Sequence, residues 1–378
     1  MRPAFGPSAP LTPALYPSAV YAIPDLDALD DIYEKRAPGF IYARDGHPNA
    51  TSLAAAINTL HAAAWGVVTG SGMGAISAAV LPLVGQGERI VAADNLYGKS
   101  AKLCRELARF GVTTEFVNPC DPAAVEAALA RGAKAVLVET ISNPLCRVCD
   151  LSAVAALTRR HGAKLIVDNT FATPVLCRPL DLGADLVMES LTKMIGGHSD
   201  VTLGYLGGSD TALSVAAESA VSTFGLAANP FDCWLTERSL DTLDLRMRAA
   251  TANAAAVAEW LGAEPAVKRV VYPGRADHPD HALAKRQFPG GFGHMLCFEL
   301  ADREAVNRFM RGATQVPFAP SLGHALTTIS YPDGTSHRFE PTEAKRRQGI
   351  TPGLVRLSVG CEPGQALRQK LTEGLAAV

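Results

Sequence analysis

Lys193 stands alone in the run MESLTKMIGGHSDVTLGY (188–205), among serines, threonines and glycines just after a short apolar stretch. An amine set there either meets solvent or does carbonyl chemistry. Held in a cleft near a phosphate, it can condense with an aldehyde to a Schiff base. Ser190 and Thr192 flank it with hydroxyls suited to phosphate oxygens. In TGSGMGAI (69–76), Gly70, Gly72 and Gly74 lie between a strand and a helix, where exposed amides such as those of Gly72 and Met73 can hold phosphate. These glycines read otherwise as a tight turn, or as half of a dinucleotide fingerprint. The ribose-binding acid of that fingerprint is not convincing here, because Asp94 runs straight into DNLYG.

Asp168 closes KLIVDNT (164–170), at the end of a strand that should be buried. A carboxylate there is expensive without a charged or hydrogen-bonded partner. A protonated pyridine nitrogen would be one partner; neighbouring backbone amides would be another. Tyr97 follows AADN and can stack its ring on a flat cofactor. Phosphate cradle, ring-nitrogen acid, aldehyde lysine and stacking aromatic together describe pyridoxal 5'-phosphate. Arg356 sits inside the apolar strand GLVRLSVG, and a buried guanidinium needs an anion.

The elements that must carry these residues follow one pattern from residue 50 onward. Apolar runs (WGVVTG, RIVAADN, TTEFVN, KAVLVET, AKLIVDNT, LGADLVMES, VTLGYLGG) alternate with helical ones, beginning with an alanine-rich stretch over 49–64. In DPAAVEAALARG, Asp121 can cap and Pro122 occupies the first position. This order predicts a mostly parallel sheet with helices on both faces, and ligands beyond the carboxyl ends of its strands. Asn95, Glu139, Asn143, Asp168, Asn169 and Ser190 gather at those ends. One long helix is expected over about 232–262, leading to a smaller α+β domain. The organisation expected is an arm over 1–48, an α/β domain over 49–244 and an α+β domain over 245–378.

With 378 residues, 48% hydrophobic and 19% charged, the chain has ordinary globular composition and room for two domains. A net charge of -2 argues against a nucleic-acid stripe or a polybasic membrane patch. No run reaches the roughly 18 apolar residues of a membrane span. The first residues lack the continuous apolar core of a leader, so cytoplasm is the default expectation. Eight cysteines are too few for a disulfide framework, and the lone pair in CRVC (146–149) reads as reduced thiols rather than a redox or metal motif.

The sequence resembles the Cys/Met-metabolism family of pyridoxal-phosphate enzymes over nearly its whole length. DNTFATPVLCRPLDLGADLVMESLTKMIGGHSDVTLG carries the resemblance most specifically; SGM, ETISNP, YPGRADHPDHALAKRQFPGGFG, SLGHALTT and GLVRLSVGCE match in order. The resemblance implies the fold type I, aspartate aminotransferase-like architecture, with a mostly parallel seven-stranded sheet and a smaller C-terminal domain. It makes Lys193 the lysine that holds the cofactor and Asp168 the partner of its ring nitrogen. Gly72, Met73, Ser190 and Thr192 would hold the phosphate, and Tyr97 would stack on the ring and move protons at the leaving group. Asn143 and Arg356 would bind the substrate, Arg356 at its α-carboxylate, with Ser321 beside it. Tyr42 and Arg44 in YARDGHPN match a pair lent to the neighbouring subunit's phosphate site, Tyr42 also facing its substrate. A homodimer with shared sites, usually paired into a tetramer, is thereby implied.

Departures from the family pattern bear on substrate. Lys99 stands where a small residue or a cysteine is usual, and Pro320 where typical cystathionine γ-lyases have glutamate. GHPNAT replaces NPT, Ser239 a glycine, and Leu326–Thr327 an ES pair. The expected activity is a carbon–sulfur lyase performing γ-elimination on cystathionine, homocysteine or a methionine-like amino acid. Alternatives are γ-replacement on an O-acylhomoserine, β-elimination, and a non-catalytic cofactor-binding homologue.

Overall fold

The computed structural model describes residues 8–378. Seven strands form the larger sheet: β1 (Trp65–Thr69), β2 (Arg89–Ala93), β3 (Thr113–Val117), β4 (Ala135–Glu139), β5 (Lys164–Asp168), β6 (Leu186–Ser190) and β7 (Gly204–Gly208). Their order is β1-β7-β6-β5-β4-β2-β3. The contiguous strands β3, β2, β4, β5 and β6 run parallel, and β7 is antiparallel to both of its neighbours. Every residue of β4 is buried, as expected of an interior parallel strand covered on both faces.

Local chemistry sets the helix ends. Asp121 accepts the amides of Ala123 and Ala124 ahead of helix Pro122–Leu129. Asp150 caps Leu151–His161 through the Ala153 amide, and Gly162 closes it at φ 68°, a left-handed position that suits glycine.

Four shorter strands, β8 (Arg269–Val271), β9 (Met295–Glu299), β10 (Thr328–Ser330) and β11 (Leu354–Ser358), form a second, antiparallel sheet in the order β10-β11-β9-β8. It has its own core, with Phe298, Phe309, Leu357 and Leu371. The single helix expected over 232–262 is two helices, Pro230–Leu240 and Leu243–Leu261. Ser239 turns its hydroxyl back to the Leu235 carbonyl, and the Arg246 guanidinium takes the Ser239 carbonyl at 2.8 Å, so the break leaves that group partnered. The second helix packs Met247 and Ala250 on the large core and Val257 and Leu261 on the small one.

Among the described residues no helix is long and apolar enough to cross a membrane. Residues 8–46 are exposed or only partly covered. This arm is tied to the body by Trp234 Nε1, which donates to the Pro13 carbonyl, and by Asn49, which donates to the Ala14 carbonyl and accepts the Tyr16 amide; a bridge between Val20 and Tyr42 holds the arm to itself.

Candidate active site

The carboxyl ends of β4, β5 and β6 bring Glu139, Asp168 and Ser190 to one edge of the large sheet, with Glu139 and Asp168 paired in register. A cavity of about 220 Å³ opens there. Gly72, Met73, Tyr97, Asn143, Asp168, Ser190, Thr192, Lys193, Ser321 and Arg356 all border it, as does Pro320. Tyr42 and Arg44 do not. They form a cation–π pair at 5.3 Å, with Tyr42 44% exposed, on the outside of the chain. Lys99 is exposed and outside the cavity lining. Asn95 borders a neighbouring cavity, and Asn169 is buried behind the site between Thr140, Glu189 and the Cys177 carbonyl.

Helix Gly72–Val80 points its first turn into the cavity. Ser71 caps it by accepting the Gly74 amide at 3.0 Å, and Ala75 makes the first bond back to the Ser71 carbonyl. The Gly72 and Met73 amides precede these bonds and suit an anion. A Cβ on Gly72 would stand 2.8 Å from the Ser190 Cβ, so only glycine lets this turn approach β6. Thr192 shares its hydroxyl with the Leu203 amide and carbonyl, which fixes the turn between Ser190 and Lys193.

Lys193 reaches across to Ser321, its Nζ donating to Oγ at 3.1 Å. The backbone just beyond is gripped by Arg246, whose guanidinium donates to the Met194 carbonyl and, at 3.0 Å, to that of Ile195. Burial, helped by the charge of Arg356, holds the Lys193 ammonium below the ordinary lysine range, and Asp168 pulls the other way. Burial raises Asp168, although Thr170 donates its amide at 3.0 Å; no ion pair to Asp168 occurs among the described residues. Partial burial likewise raises the Tyr97 phenol, with Arg356 opposing the shift and Glu139 adding to it.

Arg356, 3% exposed, lies on the interior strand β11. It donates to Asn143 Oδ1 at 2.7 Å and to the Ser321 carbonyl at 2.9 Å, while its Nε has no acceptor among the described residues. No carboxylate of the described chain pairs with it, which leaves its charge for an anionic ligand.

Several cavity residues were not assigned from sequence. Thr335 and Ser336 come from the loop after β10, which has no periodicity to read. Glu139 was visible as a strand-end acid, but its partners are backbone amides, which leave no sequence signature.

The donor set fits pyridoxal phosphate. Helix-start amides, hydroxyls, an acid with no ion pair among the described residues and an amine of lowered pKa all border one cavity. Comparison with known proteins points the same way. The family model described as Cys/Met metabolism PLP-dependent enzyme matches residues 7–376. The chain is 39% identical over 338 residues to a cystathionine β-lyase of Bacillus subtilis, covering 89% of this chain and 86% of that protein. It is 35% identical over 372 residues to an L-methionine γ-lyase of Pseudomonas putida, covering 97% and 93%. The crystal structure of a cystathionine γ-synthase from Xanthomonas oryzae, in complex with aminoacrylate and cysteine, superposes with a TM-score of 0.91 at 37% identity, covering 97% and 94%.

Proposed function

The chain belongs to the Cys/Met metabolism family of PLP-dependent enzymes, and from that premise we propose that it is a carbon–sulfur lyase acting on a sulfur-containing amino acid by γ-elimination. A thioether such as cystathionine and one water would give a thiol, ammonia and a 2-oxo acid. The observation that carries this is one cavity that holds both the Lys193 amine and the buried, unpaired Arg356 guanidinium. An amine for carbonyl chemistry and a cation for a carboxylate are what an α-amino acid requires.

Bound in the cavity, pyridoxal phosphate supplies an aldehyde for the substrate amine and a ring that takes up the electron pair released at Cα. The chain's own residues divide the remaining work. Gly72 and Met73 amides, with the Ser190 and Thr192 hydroxyls, bind the phosphate. Asp168 keeps a proton on the ring nitrogen. Arg356 and Asn143 bind the α-carboxylate, with Ser321 beside them, and so turn the Cα–H toward Lys193, which removes that proton. A γ-leaving group departs only after a second proton has been taken from Cβ, and Tyr97 then donates its phenol proton to the departing sulfur.

The arm completes the reading. Leu11, Val20, Leu26 and Tyr33 are 87%, 65%, 75% and 67% exposed, an apolar display that suits a neighbouring copy. Tyr42 and Arg44 would then serve the phosphate and substrate of the partner subunit's site, in a homodimer that pairs into a tetramer. The division into an arm over 1–48 and domains over 49–244 and 245–378 belongs to the same reading.

The fold match to a cystathionine γ-synthase favours a second reading, γ-replacement on an O-acylhomoserine, and the Bacillus relative a β-elimination. One experiment separates them. Cofactor-loaded protein is given cystathionine, homocysteine, methionine, or O-acylhomoserine with a thiol, and 2-oxo acids, free thiol and thioether are quantified. 2-Oxobutanoate with thiol from a thioether supports γ-elimination. Pyruvate from cystathionine gives β-elimination, and thioether formed faster than any 2-oxo acid gives replacement. A protein that gains no visible absorbance band with pyridoxal phosphate would overturn all three.

A further inference from the structure

Glu139 borders the cavity, and its hydrogen bonds go to the backbone of other site residues. It ends β4 and is 7% exposed. Its Oε1 accepts the Tyr97 amide at 2.6 Å, and its Oε2 accepts the Asn143 amide at 3.1 Å. The two amides come from separate parts of the chain. Tyr97 starts helix Gly98–Glu106 in the segment after β2, where no side chain caps the helix. Asn143 lies in the turn after β4, and its side chain receives Arg356. One carboxyl therefore ties together the stacking tyrosine, the arginine's partner and the strand end beside Asp168.

This carboxyl is held at a cost. Burial and the neighbouring Asp168 both press it toward its neutral form, and the described residues bring no cation to it. Two acceptors at fixed spacing are what the site gains. A glutamine would offer one acceptor and turn its NH2 against the other amide. An aspartate would keep both acceptors but lose the reach of one methylene.

Resting on the function proposed above, we propose that Glu139 is a positioning residue, which sets Tyr97 on the leaving-group side and Asn143–Arg356 on the carboxylate side in one fixed geometry. Loosening either amide would move a group against the substrate while the core stays intact. Misplacement of about 1 Å costs about a hundredfold in rate.

The test uses Glu139→Gln as the cofactor-loaded enzyme. Turnover is measured per mole of bound cofactor, together with KM, thermal midpoint and the affinity of the apoenzyme for pyridoxal phosphate. A positioning role predicts that kcat per loaded site falls about a hundredfold and that KM for the amino acid rises with it. It also predicts less than additive effects when combined with Asn143→Ala, because the two act through one contact. A merely structural carboxyl would lower the midpoint or the loaded fraction and leave kcat per loaded site and KM at wild-type values; that result overturns the proposal. If the glutamine variant does not fold, Glu139→Asp is read by the same criteria. The spectral response to a non-reacting amino acid is recorded alongside. If wild type eliminates no thioether, the lyase reading fails, and an unchanged response in Glu139→Gln still refutes the positioning role separately.

Discussion

Arg356 Nη1 meets Asn143 Oδ1 at 2.7 Å, so an interior strand of the small sheet is bonded to the turn that leaves β4 of the large one. Asn143 neutralises none of the guanidinium's charge, and the unpaired Nε remains to be satisfied. Removing one partner of a buried, hydrogen-bonded charge pair typically costs about 2–5 kcal/mol. Arg356→Ala should therefore raise KM for the amino acid roughly thirtyfold or more. The corresponding amine without a carboxylate should bind wild type and variant alike. A KM unchanged by the substitution would remove Arg356 from the carboxylate.

Gly72→Ala tests the phosphate end. The new Cβ would press on the Ser190 Cβ and Oγ, 2.8 and 3.0 Å away. Overpacking of this kind costs about 1–3 kcal/mol. Here it should appear as weaker cofactor retention, measured by equilibrium dialysis, with the fold of the apoenzyme intact by circular dichroism. Equal retention in the variant would place the phosphate elsewhere.

The charge state of Lys193 gives a signed pH prediction. Burial and Arg356 lower its pKa, and Asp168 raises it. The rate at which apoenzyme captures pyridoxal phosphate should follow the neutral amine, with an apparent pKa below that of free lysine. Arg356→Gln removes a like charge and should move that pKa up. Asp168→Asn removes an attractive charge and should move it down. Stopped-flow capture across pH reads both, and shifts of the opposite sign would contradict the electrostatics of the cavity.

Acid stability should depend on His294. It is fully buried, neither ring nitrogen has a partner among the described residues, and burial with the nearby charge of Arg356 holds its pKa at about 3. The unfolded chain protonates this ring near pH 6.5 and the folded chain does not. Stability is then complete above that pH and falls as pH drops toward 3. His294→Leu should flatten part of the fall in thermal midpoint between these values. An identical pH slope in the variant would show that His294 is protonated while folded.

Shared active sites can be tested by mixing two inactive variants. Lys193→Ala lacks the amine, and Arg44→Ala lacks the cation lent across the interface. Unfolded together and refolded, they should form hybrid dimers in which one site has both groups. Recovery of turnover above either variant alone supports the exchange. No recovery, with hybrids present by mass, would confine each site to one chain.

Much of the scaffold was legible because its signals are local. The apolar run Ala135–Val138 had to be interior, and Asp121 with Pro122 had to start a helix. Asp168 and Arg356 stood out because each is a charge in an apolar strand, and Lys193 because it is a lone amine among serines, threonines and glycines. What failed to show depends on distant partners. The break after Leu240 is compensated by Arg246, a residue of the following helix that no local pattern marks. Glu139 serves amides of residues 97 and 143, and an amide looks the same in any sequence. Tyr42 and Arg44 lie outside the cavity of their own chain, so one chain cannot display what they touch.

The two separate hydrophobic cores carry a consequence for melting behaviour. They share the helix Leu243–Leu261, and at the cavity Lys193 meets Ser321 while Asn143, in the turn after β4, meets Arg356 on β11 of the small sheet. A ligand that is held by Lys193 and Arg356 at once acts as a rivet between the two sheets. Calorimetry of the apoenzyme then has two cooperative units to resolve, and a substrate-like ligand that binds only the joined form should fuse them into a single, later transition.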